Sequence, residues 1–466
     1  MAWRNLWRNK RRTLITSASV FFAVFFAVIM RSIQLGSYDR MIMNFIGSYS
    51  GYLQIQNSDY LGDPSIDNAF TCSDSLEKGA LKIKDIVSLA PHIESFVLAS
   101  EGTLTKGIIM LAIDPEKEKS FSDPENKLVR YVVSDSAIKC LEHLPGFPPD
   151  ITEELRKRAG SSYSSRQGFE LDLETSATES SLMGKILDAC SVSNGYLRND
   201  DDGILLSSRL AAFLKVNIGD TLVLMGQGYH GSSAAGLFPV RGILKMPSPD
   251  IDSRLAMMTI SEAKKFFSSG DRITSLAVNL TSKSDRVISR TSGELSRILP
   301  GKGIVVRTWK ELNPVLVQQI RGDSQTGLAT LFLLYFIIFF GIFGTVLMMM
   351  AERTREFGVL ISIGMQRGKL KRILIIEMLL LGITGLLSGL AASAPVIAYY
   401  NIHPVVLKGD LGKMMENYGW DAVMPTAWFG PYFYWQALVV FVMVVAALIY
   451  PLRKISKLKE IEALRS

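Results

Sequence analysis

Few residues in this chain have the types and spacings that do covalent chemistry. The four histidines, His92, His143, His230 and His403, are scattered, and no pair stands at metal-ligand spacing. No G-x-x-x-x-G-K-[ST] phosphate loop occurs, and Gly301-Lys302-Gly303 lacks the spacing, so ATP binding by that means is not expected. There is no G-x-S-x-G elbow and no C-x-x-C. Cys72, Cys140 and Cys190 form an odd, sparse set that allows at most one bridge and reads as buried or free thiols. These patterns predict no catalytic residue, no metal site, no cofactor and no enzyme activity of the chain's own.

What stands out instead is a stretch suited to mechanical contact, running from Ala351 to Gly389. Ala351–Gly364 reads as a short helix along a membrane surface. It opens on charged residues, presents Phe357, Val359, Leu360 and Ile363, and stops at Gly364 in a C-cap position. Lys369, Lys371 and Arg372 then anchor the next apolar run at the headgroups. Two readings stand side by side: a membrane-lying connector, or a tip that docks into a groove on a soluble partner. In the run that follows, Gly382, Gly385 and Gly389 suit close helix packing. Glu377 lies about one turn inside it, where it reaches the interface or pairs with Arg372 in a structural role.

The elements that carry these residues are membrane spans. The chain has 466 residues, 48% of them hydrophobic, and the excess is concentrated in four long runs. A bilayer core of roughly 30 Å needs about 20 helical residues. The predicted spans are 13–31, 327–350, 373–400 and 432–452. The first is read as an uncleaved anchor, since no small-residue cleavage site precedes Arg31. Residues 1–12, 351–372 and 453–466 together carry +12, against +7 for the whole chain, so everything else carries −5. The basic excess therefore falls in the three segments that an N-in, C-in topology puts in the cytoplasm. Membrane lipid, not nucleic acid, is the partner such charges imply.

That topology leaves residues 32–325 outside, as a large α+β domain inserted between the first two spans. Ile33, Met41, Ile42, Phe45 and Ile46 recur at roughly helical spacing and predict a stalk that prolongs the first span outward. Strands are predicted at 52–56, 95–100, 107–113, 221–225, 238–244, 255–260 and 276–280, and helices at 208–215, 261–267 and 284–299. Residues 159–182 are rich in Ser, Thr and Gly and read as a solvated insertion or mobile loop. In the short second outer loop, 401–431, Trp420 and Trp428 join Tyr432 and Trp435 in an interfacial aromatic belt.

The run Arg353-Thr-Arg-Glu-Phe-Gly-Val-Leu-Ile-Ser-Ile-Gly364, with Glu377 and the glycine-rich span, resembles the core of FtsX-like permeases, the group that includes MacB-type and lipoprotein-releasing (Lol-type) transporters. Arg4-Asn-Leu-Trp-Arg-Asn-Lys-Arg-Arg-Thr13 is similar to the family's start, and Pro451 followed by Glu462-Ala-Leu-Arg465 to its finish. Ala112-Ile-Asp-Pro115, Ile204-Leu-Leu-Ser-Ser-Arg-Leu-Ala211 through Val216-Asn-Ile-Gly-Asp220, and Phe238-Pro-Val-Arg-Gly-Ile-Leu244 resemble landmarks of its external domain. The resemblance implies a complex of two permeases, identical or different, with a separate cytoplasmic ABC ATPase, in the bacterial inner membrane with the large domain in the periplasm. It implies that Arg353, Arg355, Glu356, Gly358, Leu360 and Gly364 meet the ATPase. Lipoprotein release toward the outer membrane is the expected function, with Met41, Ile42, Phe45 and Ile46 able to shelter acyl chains or simply to pack. The alternatives are MacB-type efflux of peptides or small molecules, and FtsX-like activation of an external partner such as a wall hydrolase.

Overall fold

The computed structural model describes residues 10–145, 147–173, 180–299, 301, 303–407, 411–412, 414 and 423–457. Four helices are long and apolar enough to cross a membrane: Thr13–Phe45, Pro314–Ser362, Arg367–Ile402 and Pro431–Ser456. They make up most of one compact unit, and Met41–Pro314 forms the body of a second. Residues 4–9 of the segment that resembles the family's start, and 462–465 of the one that resembles its finish, lie outside the described residues.

Each helix outlasts its apolar run. The first continues from Lys10 to Phe45 without a break. The second has 49 residues, Pro314–Ser362, and so spans about 73 Å at 1.5 Å per residue. A proline opens it, where a missing N–H costs nothing, and no other proline interrupts it before Ser362. The third carries Pro395 inside it. The fourth is built of Pro431–Ala447 and Ile449–Ser456, joined at Leu448 just ahead of Pro451, which lacks a backbone donor. Their shared core takes Val20 and Val24 from the first helix, Ile342 and Val346 from the second, Leu374 and Leu381 from the third, and Val440 and Val444 from the fourth. Between the third and fourth, Val405–Val406 pairs with Val423–Met424 in a short antiparallel ladder. Trp428 and Trp435 are exposed, whereas Tyr432 is buried and donates to the Ala427 carbonyl at 3.0 Å. Trp420 lies outside the described residues.

The interposed unit is α+β. Its main sheet has nine strands: β1 Leu53–Asn57, β2 Ile86–Glu101, β3 Leu104–Ile113, β4 Ile204–Ser207, β5 Thr221–Gln227, β6 Ser233–Leu244, β7 Leu255–Thr259, β8 Ser275–Leu280 and β9 Ile304–Thr308. The spatial order is β9-β1-β8-β2-β3-β7-β4-β6-β5, and β5 also pairs with β2. The long β2 makes this possible. Its first half pairs with β8 and its second half, Val97–Ser100, pairs with β5, so six strands close into a ring. Most pairs are antiparallel, with β3–β7 and β4–β6 parallel. Strand alternation sends Ile93, Val97 and Ala99 inward while Phe96 and Leu98 stay exposed.

The stretch 159–182 differs from its predicted form. Arg166–Leu173 and Ser180–Cys190 are helices, and with Asp135–Glu142 and Pro149–Lys157 they close a small core of their own around Leu141, Leu155, Phe169, Leu173 and Ile186. Phe169 and Leu173 stand four apart on one helix face, and that pair outweighs the serines around it. Residues 174–179 lie outside the described residues.

Candidate functional site

The inner stretch folds as a helical hairpin. No separate surface helix forms at Ala351–Gly364, because the second helix runs straight through Met350 to Ser362. Nothing between those residues stops the hydrogen-bond ladder, and the Thr354 hydroxyl stays within it by donating back to the Met350 carbonyl at 2.7 Å. The stop is Gly364, at φ +97°, a left-handed conformation that disfavours any side chain. Its N–H reaches the Ile361 carbonyl at 2.9 Å, and Met365 N–H reaches that of Leu360 at 3.0 Å. The return helix begins at Arg367.

This geometry sorts the six residues of the motif. Arg355, Glu356 and Gly364 are exposed, together with Val359 and Ile363, the last at 79%. Leu360 is half-buried. Arg353 and Gly358 are buried, and Arg353 shares a face with Phe357 and Ile361. The tip therefore offers a small mixed face of one basic, one acidic and two aliphatic side chains beside a turn whose left-handed backbone glycine permits.

Glu377 does not pair with Arg372. It accepts a hydrogen bond from Arg353 Nη1 at 2.7 Å, with both side chains buried. Arg372 and Glu377 are five residues apart, which places them about 140° apart around a helix of 3.6 residues per turn. Arg353, Phe357 and Ile361, spaced by four, do share one face, and that stripe is the signal in the sequence for an inward-facing arginine.

The three glycines of the third helix sit where other helices come close. A Cβ at Gly385 would lie 2.6 Å from the Ser17 carbonyl oxygen, and one at Gly389 would lie 2.9 Å from that of Phe21. Gly382 faces Val444 of the fourth helix at 2.9 Å. Ser17 and Thr384 hydroxyls meet at 3.2 Å beside the first of these crossings. The first and fourth helices thus both lean on the third.

The stalk residues separate in the same way. Met41 and Ile42 are half-buried, Ile46 is fully buried, and Phe45 packs with Tyr49 against Ile109, Leu205 and Met257 of the interposed unit. Ile46 therefore packs in the ordinary way and presents no surface, whereas Phe45, like Met41 and Ile42, is half-buried.

The interposed unit holds one buried polar constellation that the sequence did not announce. His92 Nε2 donates to Glu118 Oε2 at 2.9 Å, and Ser122 Oγ donates to Glu118 Oε1 at 2.5 Å. The serine bonds the carboxylate and not the imidazole, so the three side chains are not in the order of a serine–imidazole–carboxylate triad. Nearby, burial lowers the Lys127 ammonium to about 8, against the pull of Glu118 and Asp123. Burial also raises the carboxyl of Glu94 and the phenol of Tyr60. Cys72, Cys140 and Cys190 are all free thiols, and burial pushes Cys72 and Cys190 up to about 11. Among the described residues, no group of three or more His, Cys, Asp or Glu could hold a metal ion.

Residues 328–459 match the family model described as FtsX-like permease C-terminal. Two solved structures show a limited similarity. The periplasmic region of MacB from Actinobacillus actinomycetemcomitans shares 14% identity at a TM-score of 0.31, covering 60% of this chain and 98% of that one. The extracellular domain of the noncanonic ABC-type transporter YknZ from Gram-positive bacteria shares 13% at a TM-score of 0.27, covering 55% and 98%. No curated protein matches the chain. The matched residues take in most of the second long helix, the third and fourth, and the hairpin that joins the second to the third.

Proposed function

We propose that the chain is the membrane subunit of an ABC transporter. A separate cytoplasmic ATPase bears on the tip of the hairpin, and the resulting movement of the long helices reaches the interposed domain across the membrane. The N-in, C-in orientation rests on the basic excess of the three short segments, which places the hairpin tip in the cytoplasm and the domain outside. In a bacterial inner membrane that outside is the periplasm. The observation that carries the reading is the joint presence of the family match and a glycine-capped tip exposing Arg355, Glu356, Val359 and Ile363. Apolar docking with charge pairing on one small face suits force transmission between rigid bodies. Glu356→Lys should cut the ATPase that co-purifies with the permease by about tenfold, as expected for reversing a charge within an interface. An unchanged yield of ATPase would remove the docking assignment.

A second permease, identical or different, completes the complex in this reading, and the cargo is a lipoprotein released toward the outer membrane. Met41, Ile42 and Phe45, half-buried on the stalk, are the residues left to shelter an acyl chain. Met41→Asp should block lipoprotein release while the complex still assembles; normal release would end that substrate assignment. The burial of Ile46 narrows the acyl surface and keeps MacB-type efflux of peptides or small molecules as the second reading.

A further inference from the structure

The two arms of the hairpin meet along an apolar seam. Phe357 and Ile361 of the outgoing arm, and Leu370, Leu374 and Met378 of the return arm, all belong to one buried cluster. Apolar seams of this kind tolerate sliding, because a shift of one turn, about 5.4 Å, replaces one aliphatic contact by another. The bridge between Arg353 and Glu377 does not tolerate it, since a slide would separate the opposite charges where little solvent reaches them. Its depth is the same on both arms. Arg353 stands nine residues before Ser362 and Glu377 ten residues after Arg367, so each lies about 13–15 Å from the turn. The cavity of about 80 Å³ beside the guanidinium is lined by Thr13, Thr16, Thr345 and Met348 and brings no second carboxylate. Arg353 Nε has no hydrogen-bond partner among the described residues. Glu377 is thus the anion that holds this arginine.

We infer that Arg353 is a positioning residue and not an ATPase contact. Its bridge to Glu377 is a cross-brace that fixes the register of the two arms, so that a push on the tip moves both as one body. This rests on the docking reading above. The test uses the complete transporter with its ATPase in lipid nanodiscs and reads both ATPase association and ATP turnover. An apolar pair, Arg353→Met with Glu377→Leu, removes the brace without stranding a charge. It should bind the ATPase as the wild type does but turn over ATP at least about tenfold more slowly, within the range of ordinary coupling energies. The exchanged pair, Arg353→Glu with Glu377→Arg, should recover turnover to within about threefold, and Arg353→Lys should fall between the two. Wild-type turnover by the apolar pair would overturn the inference. So would no recovery in the exchanged pair, or failure of the apolar pair to assemble, which would make the bridge a folding element. If Glu356→Lys leaves ATPase association unchanged, the docking reading fails instead, whatever the paired variants do.

Discussion

Two buried acid–base contacts, one in each unit of the chain, are built to different ends. In the helical unit, Arg353 and Glu377 link two long arms that touch mainly through aliphatic side chains. In the interposed unit, Glu118 is held by His92 and again by Ser122, four residues along its own segment, with Phe121 edge-on to the imidazole. The second carboxylate is held by two donors, and main-chain bonds hold Glu118 and Ser122 on one segment, so its position should survive the loss of either donor. The first is held across a seam by one guanidinium. The lesson is that burial alone does not say what a charged pair does. What matters is whether other bonds already fix the elements it joins.

The largest expected effect tests that difference directly. Arg353→Met alone leaves the Glu377 carboxylate buried without its partner, which costs about 3–5 kcal/mol. Glu118→Gln keeps the shape and two hydrogen-bonding atoms of the side chain it replaces, and should cost about 1–2 kcal/mol. Thermal unfolding of the purified, detergent-solubilised protein compares the two. Equal losses would mean that the local bonds around Glu118 do not back it up, and the contrast between the two contacts would collapse.

A smaller effect sharpens the description of the interposed unit. Lys127 donates to the Ser122 carbonyl and sits near Glu118 and Asp123, yet burial lowers its pKa from 10.5 to about 8. Between those two values the unfolded chain binds the proton and the folded one does not. Stability should therefore rise with pH across that window, by at most about 3 kcal/mol in all. Below about pH 8 both states are protonated and the full cost of the buried ammonium is present. Lys127→Met should stabilise the protein near pH 7 and flatten the rise between about pH 8 and 10. Denaturant melts at pH 7, 8.5 and 10 would show it, and an unchanged slope in the variant would assign the pH dependence to other groups.

How much of this was legible in the sequence depended on which force fixed each element. The strand at 221–225 is read from its alternation because one face of it is buried, and those at 107–113 and 255–260 from continuous apolar runs because both faces are buried over most of their length. Ile304–Thr308 was not predicted: it is an edge strand, half-buried along its whole length, and Arg307 breaks its apolar pattern. The helical module at 131–192 was hidden by its serines, since two aromatic or aliphatic anchors per short helix leave little periodic signal. At the hairpin, composition marked the right residues but not their directions. The motif reads as one contact surface, yet helical geometry turns Arg353 and Gly358 inward and Arg355, Glu356 and Gly364 outward. That division depends on the second helix continuing past Met350, and a local reading that started a new helix at the end of the apolar run could not supply it.

The smallest effect sets the lower bound for the same comparison. Arg241, on β6, contacts Asp201 at 2.8 Å and Asp202 at 2.7 Å, so by distance alone it is as well paired as Arg353. It differs in exposure: its side chain is 45% accessible, against 6% for Arg353. Water already reaches nearly half of the side chain, so removing it strands little charge, and salt screens what attraction remains. Arg241→Gln should cost about 0.5 kcal/mol at low ionic strength and almost nothing at about 0.5 M salt, where the screening length falls to about 4 Å. The cost of Arg353→Met should barely change with salt, because its partner lies out of reach of mobile ions. Melting both variants at low and high salt compares pairs of matched distance and opposite burial. A salt-sensitive Arg353→Met would mean that ions reach the seam, and the bridge would then lack the isolation that fixes the register of the two arms.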